Sequence, residues 1–222
     1  MMILALIPAY NEAEHIGPVV KQATSYLPVL VVDDGSSDQT AKIAEANGAT
    51  VLRQTPNRGK GAALIAGFRW TLEHNYQAVV TLDADGQHDP YEIPQFLQAH
   101  QHTRSDLIIG ARQFEQMPLV RRLANSLGQK AFSWALGQPV RDNQSGYRLI
   151  SQRLLQAMLF SQEAGFQFEV EMIVTCVKCG FDLAWVPIRT IYAGESSHIC
   201  PLKHTIDFSY MVWKTRVCMR KK

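Results

Sequence analysis

The stretch VVTLDADGQHDP, residues 79–90, begins as a near-continuous apolar run and ends by releasing Asp83, Asp85 and Asp89 within seven positions. A run with no polar alternation suits a strand covered on both faces, the usual state of inner strands in a parallel sheet. Aspartates this close raise one another's pKa unless a cation lies between them or they serve separate tasks. Asp89-Pro90-Tyr91-Glu92 has the form of a capping box, with Asp89 as N-cap, Pro90 at the first helical position and Glu92 at the third. Asp83 and Asp85 remain, with Gln87 two residues further on. They are hard oxygen donors able to hold Mg²⁺ or Mn²⁺ while leaving positions for phosphate oxygens. A metal so held neutralises charge building on a departing diphosphate.

Working outward, four more runs share this character: ILALI (3–7), VLVVD (29–33), TVLRQ (50–54) and DLIIG (106–110), beside AVVTLD (78–83) itself. Helical patterns over about 12–26, 38–47, 60–74 and 90–101 separate them, punctuated by Gly, Pro, Asn and Asp. The alternation specifies an α/β fold with a mainly parallel sheet, in which ligands lie beyond the carboxyl ends of the strands. At those ends the chain places PAYNE (8–12), DDGSSD (33–38), DADGQHDP (83–90) and GAR (110–112). Each has a plain local use as a cap, a turn or a surface arginine. Four loops gathering acids, amides and an arginine on one sheet edge describe a site.

The chain has 222 residues, 46% apolar and 19% charged, which places it among globular domains and excludes a disordered one. No apolar run approaches the roughly 18 residues of a spanning helix. The opening MMILALIPAY has neither a basic leader nor a small-residue cleavage site. The expectation is a cytoplasmic protein without its own membrane span and without a nucleic-acid partner.

Charge is unevenly spread. Residues 203–222 hold six Lys/Arg against one Asp, net +5, so the first 202 residues are net −3 within a chain of +2. Ile206, Tyr210, Trp213 and Val217 fall at helical spacing in this tail, with Lys214, Arg216, Arg220 and Lys221 mostly off the stripe. Two readings fit: an interfacial helix on anionic lipid, or a helix packed on the domain with a solvated basic end.

The cysteines are Cys176, Cys179, Cys200 and Cys218. The Cys176/Cys179 pair lies late in a helical segment, away from the helix N-terminus that activates a redox thiol. Buried reduced thiols are expected rather than a zinc site with His198 and Cys200.

The motifs PAYNE, VVDDGSSDQT, NRGKGAAL, TLDADGQHDP, GAR, DNQSGYRLIS and GFQFEVEMIV, followed by VPIRTIY, occur in the order seen in family 2 glycosyltransferases. The chain resembles that family over about residues 2–198, and within it the polyprenyl-phosphate (dolichyl-phosphate) sugar transferases. The resemblance implies a GT-A domain over residues 1–202 with an irregular C-terminal half, followed by a basic amphipathic helix over 203–222. It implies inverting, metal-dependent transfer of a sugar from a nucleotide-sugar of the GDP-mannose or UDP-glucose type. The acceptor it implies is a polyprenyl phosphate at the cytoplasmic membrane face, reached by peripheral association with or without a small membrane-anchoring partner.

Carried over by position, the resemblance assigns Pro8, Tyr10, Glu12 and Asp34 to the nucleoside, and Asp83, Ala84 and Asp85 to metal and donor diphosphate. Gln87 becomes a further metal ligand and Arg112 the arginine beside the reacting phosphates. Carboxylates on ribose hydroxyls or metal and a guanidinium on phosphate agree with the chemistry of those groups. Arg122 and Ser126, four apart on one helix face, match an Arg/Ser pair that holds the acceptor phosphate. An Arg-rich helix entrance followed by core residues Leu127, Phe132, Trp134 and Leu136 describes the same segment.

Transfer to a hydroxyl needs a general base, commonly the Asp of a Glu-Asp pair in this family. This chain has no Glu-Asp dipeptide and carries FEVEM instead, with Glu171 where the lipid-phosphate enzymes also have Glu. A phosphate monoester is already ionised and attacks without a base, so the difference favours a phosphate acceptor, with Glu171 orienting it or packing beside it. The loop YAGESSHI departs from the family by inserting Ala193 and offering His198 where a Lys is common. Two readings follow: His198 takes the role of contacting the donor phosphates, or the loop belongs to a related subclass with different sugar specificity. The alternatives are the same chemistry on a hydroxyl acceptor in cell-envelope glycan synthesis, and a non-catalytic nucleotide-sugar-binding protein.

Overall fold

The computed structural model describes residues 2–112, 119–161, 163, 167–189 and 201–220, with the backbone alone for 119–125 and 201–209. Its first half follows the expected alternation: β1 (Ile3–Ala9), α1 (Ile16–Ala23), β2 (Val29–Asp33), α2 (Thr40–Ala46), β3 (Thr50–Arg53), α3 (Lys60–Glu73), β4 (Ala78–Thr81), α4 (Ile93–Thr103) and β5 (Leu107–Arg112). The second half adds α5 (Leu119–Leu136), β6 (Arg148–Ser151), α6 (Gln152–Met158), α7 (Phe168–Lys178), β7 (Leu183–Ile188) and α8 (Pro201–Arg220).

The seven strands form one sheet in the order β3-β2-β1-β4-β6-β5-β7. β1 pairs in parallel with β2 on one side and β4 on the other. The chain therefore builds outward from β1 through β2 and β3, then returns to continue on the opposite side with β4. The loops after β1 and β4 diverge at this switch point and open a crevice between them.

Alternate residues of β1 feed two cores. Leu4 and Leu6 join the face covered by α3, α5, α6 and α7, while Ala5, Ile7 and Ala9 join the face covered by α1 and α4. Burial on both faces is why these strands read as continuous apolar runs. Gly67 of α3 lies over Leu6, and a Cβ there would come within 2.5 Å of Leu6 Cδ1, so the glycine permits the close packing of α3 on β1.

β6 is the feature that the apolar pattern did not announce. It runs antiparallel to both β4 and β5 and separates them, which makes the sheet mixed. Its first residue, Arg148, is buried to 1% exposure. Main-chain carbonyls of Ser145, Glu169 and Asn143 accept hydrogen bonds from the guanidinium, and burial brings its pKa down to about 10. A charged residue in a four-residue strand masks the strand's apolar character.

α1 starts later than its amphipathic pattern suggested, because residues 10–15 form a turn with Asn11 at φ 55°. The start of α4 is also remodelled. Asp89 caps a short 3₁₀ turn, Pro90–Glu92, by accepting from Tyr91 N at 3.0 Å. Glu92 does not close the capping box, and its Oε1 instead accepts from Arg189 N at 2.9 Å beyond β7. Cys176 is buried and free, its thiol pushed up to about 12 by burial, and Cys179 and Cys218 are also free. Cys200 and His198 lie outside the described residues.

Candidate active site

Residues after β1 and β2 are stitched together before any ligand is considered. Ser36 Oγ accepts from Asn11 N at 2.9 Å, and Asn11 Oδ1 accepts from Ser37 N at 2.9 Å. Asp38 Oδ2 accepts from Ala13 N and Thr40 Oγ1 from Glu12 N. These contacts fix one rim of the crevice. Pro8 at the end of β1 is half-buried, whereas Tyr10 is exposed, presenting a ring at the strand end. Glu12 pairs with His15 at 3.0 Å.

Asp34 lies on the same rim but is turned inward. Its Oδ1 accepts from Gln54 Nε2 and Arg58 N, and its Oδ2 accepts from Gly59 N at 2.7 Å. Asp34 therefore holds the loop that leads into α3 and fixes where Lys60, the first residue of that helix, begins.

Across the crevice stands the loop after β4. Thr81 Oγ1 donates to Gly146 O at 2.7 Å, fastening this loop to the segment before β6. Ala84 is buried, so what it offers a ligand is backbone. Asp85 Oδ1 accepts from Gln87 N at 2.9 Å, forming the turn that carries Gln87. Burial raises the Asp85 pKa above the usual carboxylate range, and the Asp83 charge adds to that shift. A cation beside Asp85 would reverse both penalties.

Asp83 is engaged differently. Its Oδ1 lies 2.6 Å from Lys60 Nζ, and the same ammonium lies 3.0 Å from Glu169 Oε1. Burial opposes ionisation of Asp83, but the Lys60 ammonium holds its carboxyl below the usual range. His88 Nδ1 accepts from Asp83 N at 3.0 Å, which places the proton of a neutral ring on Nε2, and burial lowers the His88 pKa.

Among the described residues no group of three His, Cys, Asp or Glu side chains could form a metal cage. Two carboxylates and an amide on one turn nonetheless fit a divalent ion whose remaining ligands come from phosphate and water. Asp85 supports the fit, being a half-buried carboxylate with one hydrogen bond among the described residues and a pKa raised by its surroundings.

Arg112 ends β5, and Asp142 grips it from the loop before β6: Nε to Oδ2 at 2.7 Å and Nη2 to Oδ1 at 3.1 Å. Asp142 also accepts from Gln144 N and Ser145 N. Sequence reading missed Asp142, and its signal was the acid opening DNQSGYR.

The two α7 glutamates face opposite ways, as residues two apart on a helix must. Glu169 is the one that reaches the Asp83–Lys60 pair, and Glu171, the expected contributor, has its Oε2 accepting from Ser161 Oγ. Ser126 is half-buried on α5, and the Arg122 side chain lies outside the described residues.

Comparison with known proteins agrees with this arrangement. The family model for glycosyl transferase family 2 matches residues 5–163. An undecaprenyl-phosphate mannosyltransferase of Micrococcus luteus is 34% identical over 216 residues, covering 88% of this chain and 87% of that protein. A UDP-N-acetylglucosamine–dolichyl-phosphate N-acetylglucosaminyltransferase of Methanococcus voltae is 32% identical over 222 residues, covering 88% of each. Among solved structures, glucosyl-3-phosphoglycerate synthase of Mycobacterium tuberculosis, in complex with Mn²⁺, UDP and phosphoglyceric acid, superposes with a TM-score of 0.70 at 25% identity, covering 96% of this chain and 76% of that one. A switch-point crevice lined by an Asp-x-Asp turn, together with these matches, makes the chain a member of glycosyl transferase family 2, a glycosyltransferase of the GT-A fold.

Proposed function

We propose that the protein transfers one sugar, with inversion and divalent-metal assistance, from a nucleotide-sugar to a polyprenyl phosphate at the cytoplasmic face of a membrane. Acceptor names among its relatives, undecaprenyl phosphate and dolichyl phosphate, support the lipid-phosphate class. The observation that carries the acceptor chemistry is the state of α7: Glu169 is committed to Lys60 and Glu171 to Ser161. A hydroxyl acceptor needs a free base there, and a phosphate oxygen that is already ionised does not.

In this reading the nucleoside lies over Pro8, Tyr10 and Glu12, between the stitched loops after β1 and β2. Asp34 contributes by holding the loop before α3 against the nucleoside. Asp83, the Ala84 backbone, Asp85 and Gln87 face the diphosphate, and Mg²⁺ or Mn²⁺, which Asp83, Asp85 and Gln87 would hold, would stabilise charge on the leaving group. Mn²⁺ accompanies UDP in the solved relative, which supports a divalent cofactor. Arg112 presents its guanidinium to the phosphates, oriented by Asp142. An acceptor phosphate oxygen then attacks the anomeric carbon as the bond from that carbon to the diphosphate oxygen breaks, and the nucleoside diphosphate departs with the electron pair. Positioning and electrostatics supply most of the acceleration. Arg122 and Ser126 on α5 are assigned to the acceptor phosphate and His198 to the donor phosphates.

No helix among the described residues is long and apolar enough to cross a membrane. The solvent face of α8 carries Tyr210 and Trp213, whereas Met211 and Thr215 supply the buried face. Arg216 lies over the exposed Trp134 of α5, joining the two helices into one aromatic and basic surface. Such a surface suits an interface with anionic lipid.

The test is incorporation of radiolabelled sugar from GDP- and UDP-sugars into organic-extractable polyprenyl phosphate, with Mg²⁺ or Mn²⁺ and with chelator. Metal-dependent label in the organic phase is expected. Label confined to water-soluble glycan would replace the acceptor class with hydroxyls.

A further inference from the structure

Lys60 joins three separate elements: it begins α3, it pairs with Asp83 from the loop after β4, and it pairs with Glu169 from α7. The space around this junction is closed on one side by backbone. A Cβ at Gly146 would lie 3.0 Å from both Asp83 carboxylate oxygens and from Lys60 Nζ. Glycine at 146 is what allows the segment before β6 to press against the pair. Asp34 fixes the loop immediately before Lys60, so the ammonium is delivered to one place rather than searching on a free stem. Glu169 is 6% exposed and Asp83 is partly open to the crevice. The ammonium is thus shared between a carboxylate that faces the site and one that is buried behind it.

We propose that Lys60 is an internal cation that holds the metal position on Asp83 in the unliganded enzyme, and that Glu169 is the positioning residue that receives the ammonium when a divalent ion takes Asp83. This rests on the reading of Asp83 and Asp85 as metal ligands. Lys60 takes Oδ1 of Asp83, and a divalent ion on either oxygen of the same carboxylate would lie within a few ångströms of the ammonium, where the two cations repel strongly. Metal entry therefore displaces Lys60 from Asp83, and Glu169 supplies a second partner already at 3.0 Å, so the charge is not stranded. Divalent affinity is held low in the free enzyme and rises once a nucleoside diphosphate brings its own negative charge. Metal and donor then load together.

The experiment is a Mn²⁺ titration of the full chain followed by the EPR signal of free aqueous Mn²⁺, without nucleotide and with UDP or GDP. Lys60→Met is expected to tighten Mn²⁺ binding in the absence of nucleotide by on the order of tenfold. Lys60→Arg, which keeps the charge, is expected to retain the weak affinity of the parent. Glu169→Gln is expected to weaken binding several-fold, because the ammonium then rests on Asp83 alone. In the Lys60→Met background the same Glu169→Gln change is expected to have less than about a twofold effect, since Glu169 acts through Lys60. Lys60→Gln serves equally if the Met variant does not fold, as judged by thermal unfolding of each variant.

Unchanged or weaker Mn²⁺ binding in folded Lys60→Met or Lys60→Gln would overturn the proposal. So would an equal effect of Glu169→Gln with and without Lys60, which would make Glu169 a direct contributor to the metal field. Failure of the parent protein to bind Mn²⁺ even with UDP or GDP would overturn the metal reading itself, and this inference with it.

Discussion

Arg112 and Asp142 form a two-point ion pair that ties the end of β5 to the loop before β6, with Asp142 almost wholly buried and Arg112 about a third exposed. The guanidinium is held in one plane from behind. The direction in which it points therefore depends on an acid thirty residues away in the chain.

Asp142→Ala is expected to damage stability and activity together. It removes the two-point contact and leaves Gln144 N and Ser145 N without their acceptor, a loss of about 2–3 kcal/mol. Arg112→Ala leaves those backbone bonds in place. It leaves the buried Asp142 carboxylate without its counter-charge and should cost about 2–4 kcal/mol in urea unfolding, while lowering sugar transfer at least a hundredfold. If Arg112→Ala retained transfer, the guanidinium would be a structural partner of Asp142 only.

The two aspartates of the β4 loop should separate in the same way. Asp85 has a raised pKa, so its ionised form is a burden to the folded protein, and Asp85→Ala is expected to change unfolding free energy by no more than about 0.5 kcal/mol. Transfer should fall by about 10²–10³-fold. Asp83→Ala strands half of the Lys60 contacts and should cost about 1–3 kcal/mol besides activity. Calorimetry and the radiolabel assay on the same preparations compare the two.

The first half of the fold was legible because strands buried on both faces need continuous apolar residues, and β1, β2, β4 and β5 have them. β6 was not, because Arg148 opens it with a charge that is satisfied only in the folded chain, by carbonyls of the preceding loop at Asn143 and Ser145 and of Glu169 on α7. At the site, Asp83, Asp85, Gln87 and Arg112 stood out from their position at strand ends. Their partners did not: Lys60 and Glu169 meet Asp83 from helices that begin 23 residues before it and 85 after it in the chain. Spacing alone also could not tell Glu169 from Glu171, since the choice depends on which face of α7 turns inward.

Glu92 gives a prediction with a definite sign in pH. Its Oε2 is buried with no hydrogen-bond partner among the described residues, and burial, followed by the opposing bond from Arg189 N and repulsion from Asp89, leaves its pKa above 4.5. A carboxyl with a raised folded pKa contributes its stability below the unfolded pKa and loses it as pH rises through the folded value. Glu92→Gln keeps an acceptor for Arg189 N and removes the charge. At pH 7 it should raise Tm by about 2–4 °C, an advantage that shrinks as pH falls below the carboxyl range. A pH series of thermal scans on both proteins checks this, and a constant difference at all pH values would assign the effect to packing.

Trp134 and Trp213 are 60% and 62% exposed, more than large aromatic side chains need be on a surface that meets only water. Arg216 bridges from α8 to the Trp134 ring, and Tyr210 lies against Trp213 with ring centroids 6.1 Å apart. Because both indoles are already solvated, the double change Trp134→Ala, Trp213→Ala should leave Tm nearly unchanged. If the surface is a lipid interface, the same change should lower partition onto vesicles containing anionic phospholipid by roughly tenfold or more, as expected for losing two interfacial aromatic anchors. Arg220→Glu should weaken binding further at low ionic strength, and the difference should fade as salt rises past about 0.15 M, where charges more than about 8 Å apart are screened. Sedimentation with vesicles across a salt series measures both contributions. Partition that ignores the tryptophans but still falls with salt would leave α8 as a basic patch on an otherwise ordinary packed helix, and would move lipid contact elsewhere on the enzyme.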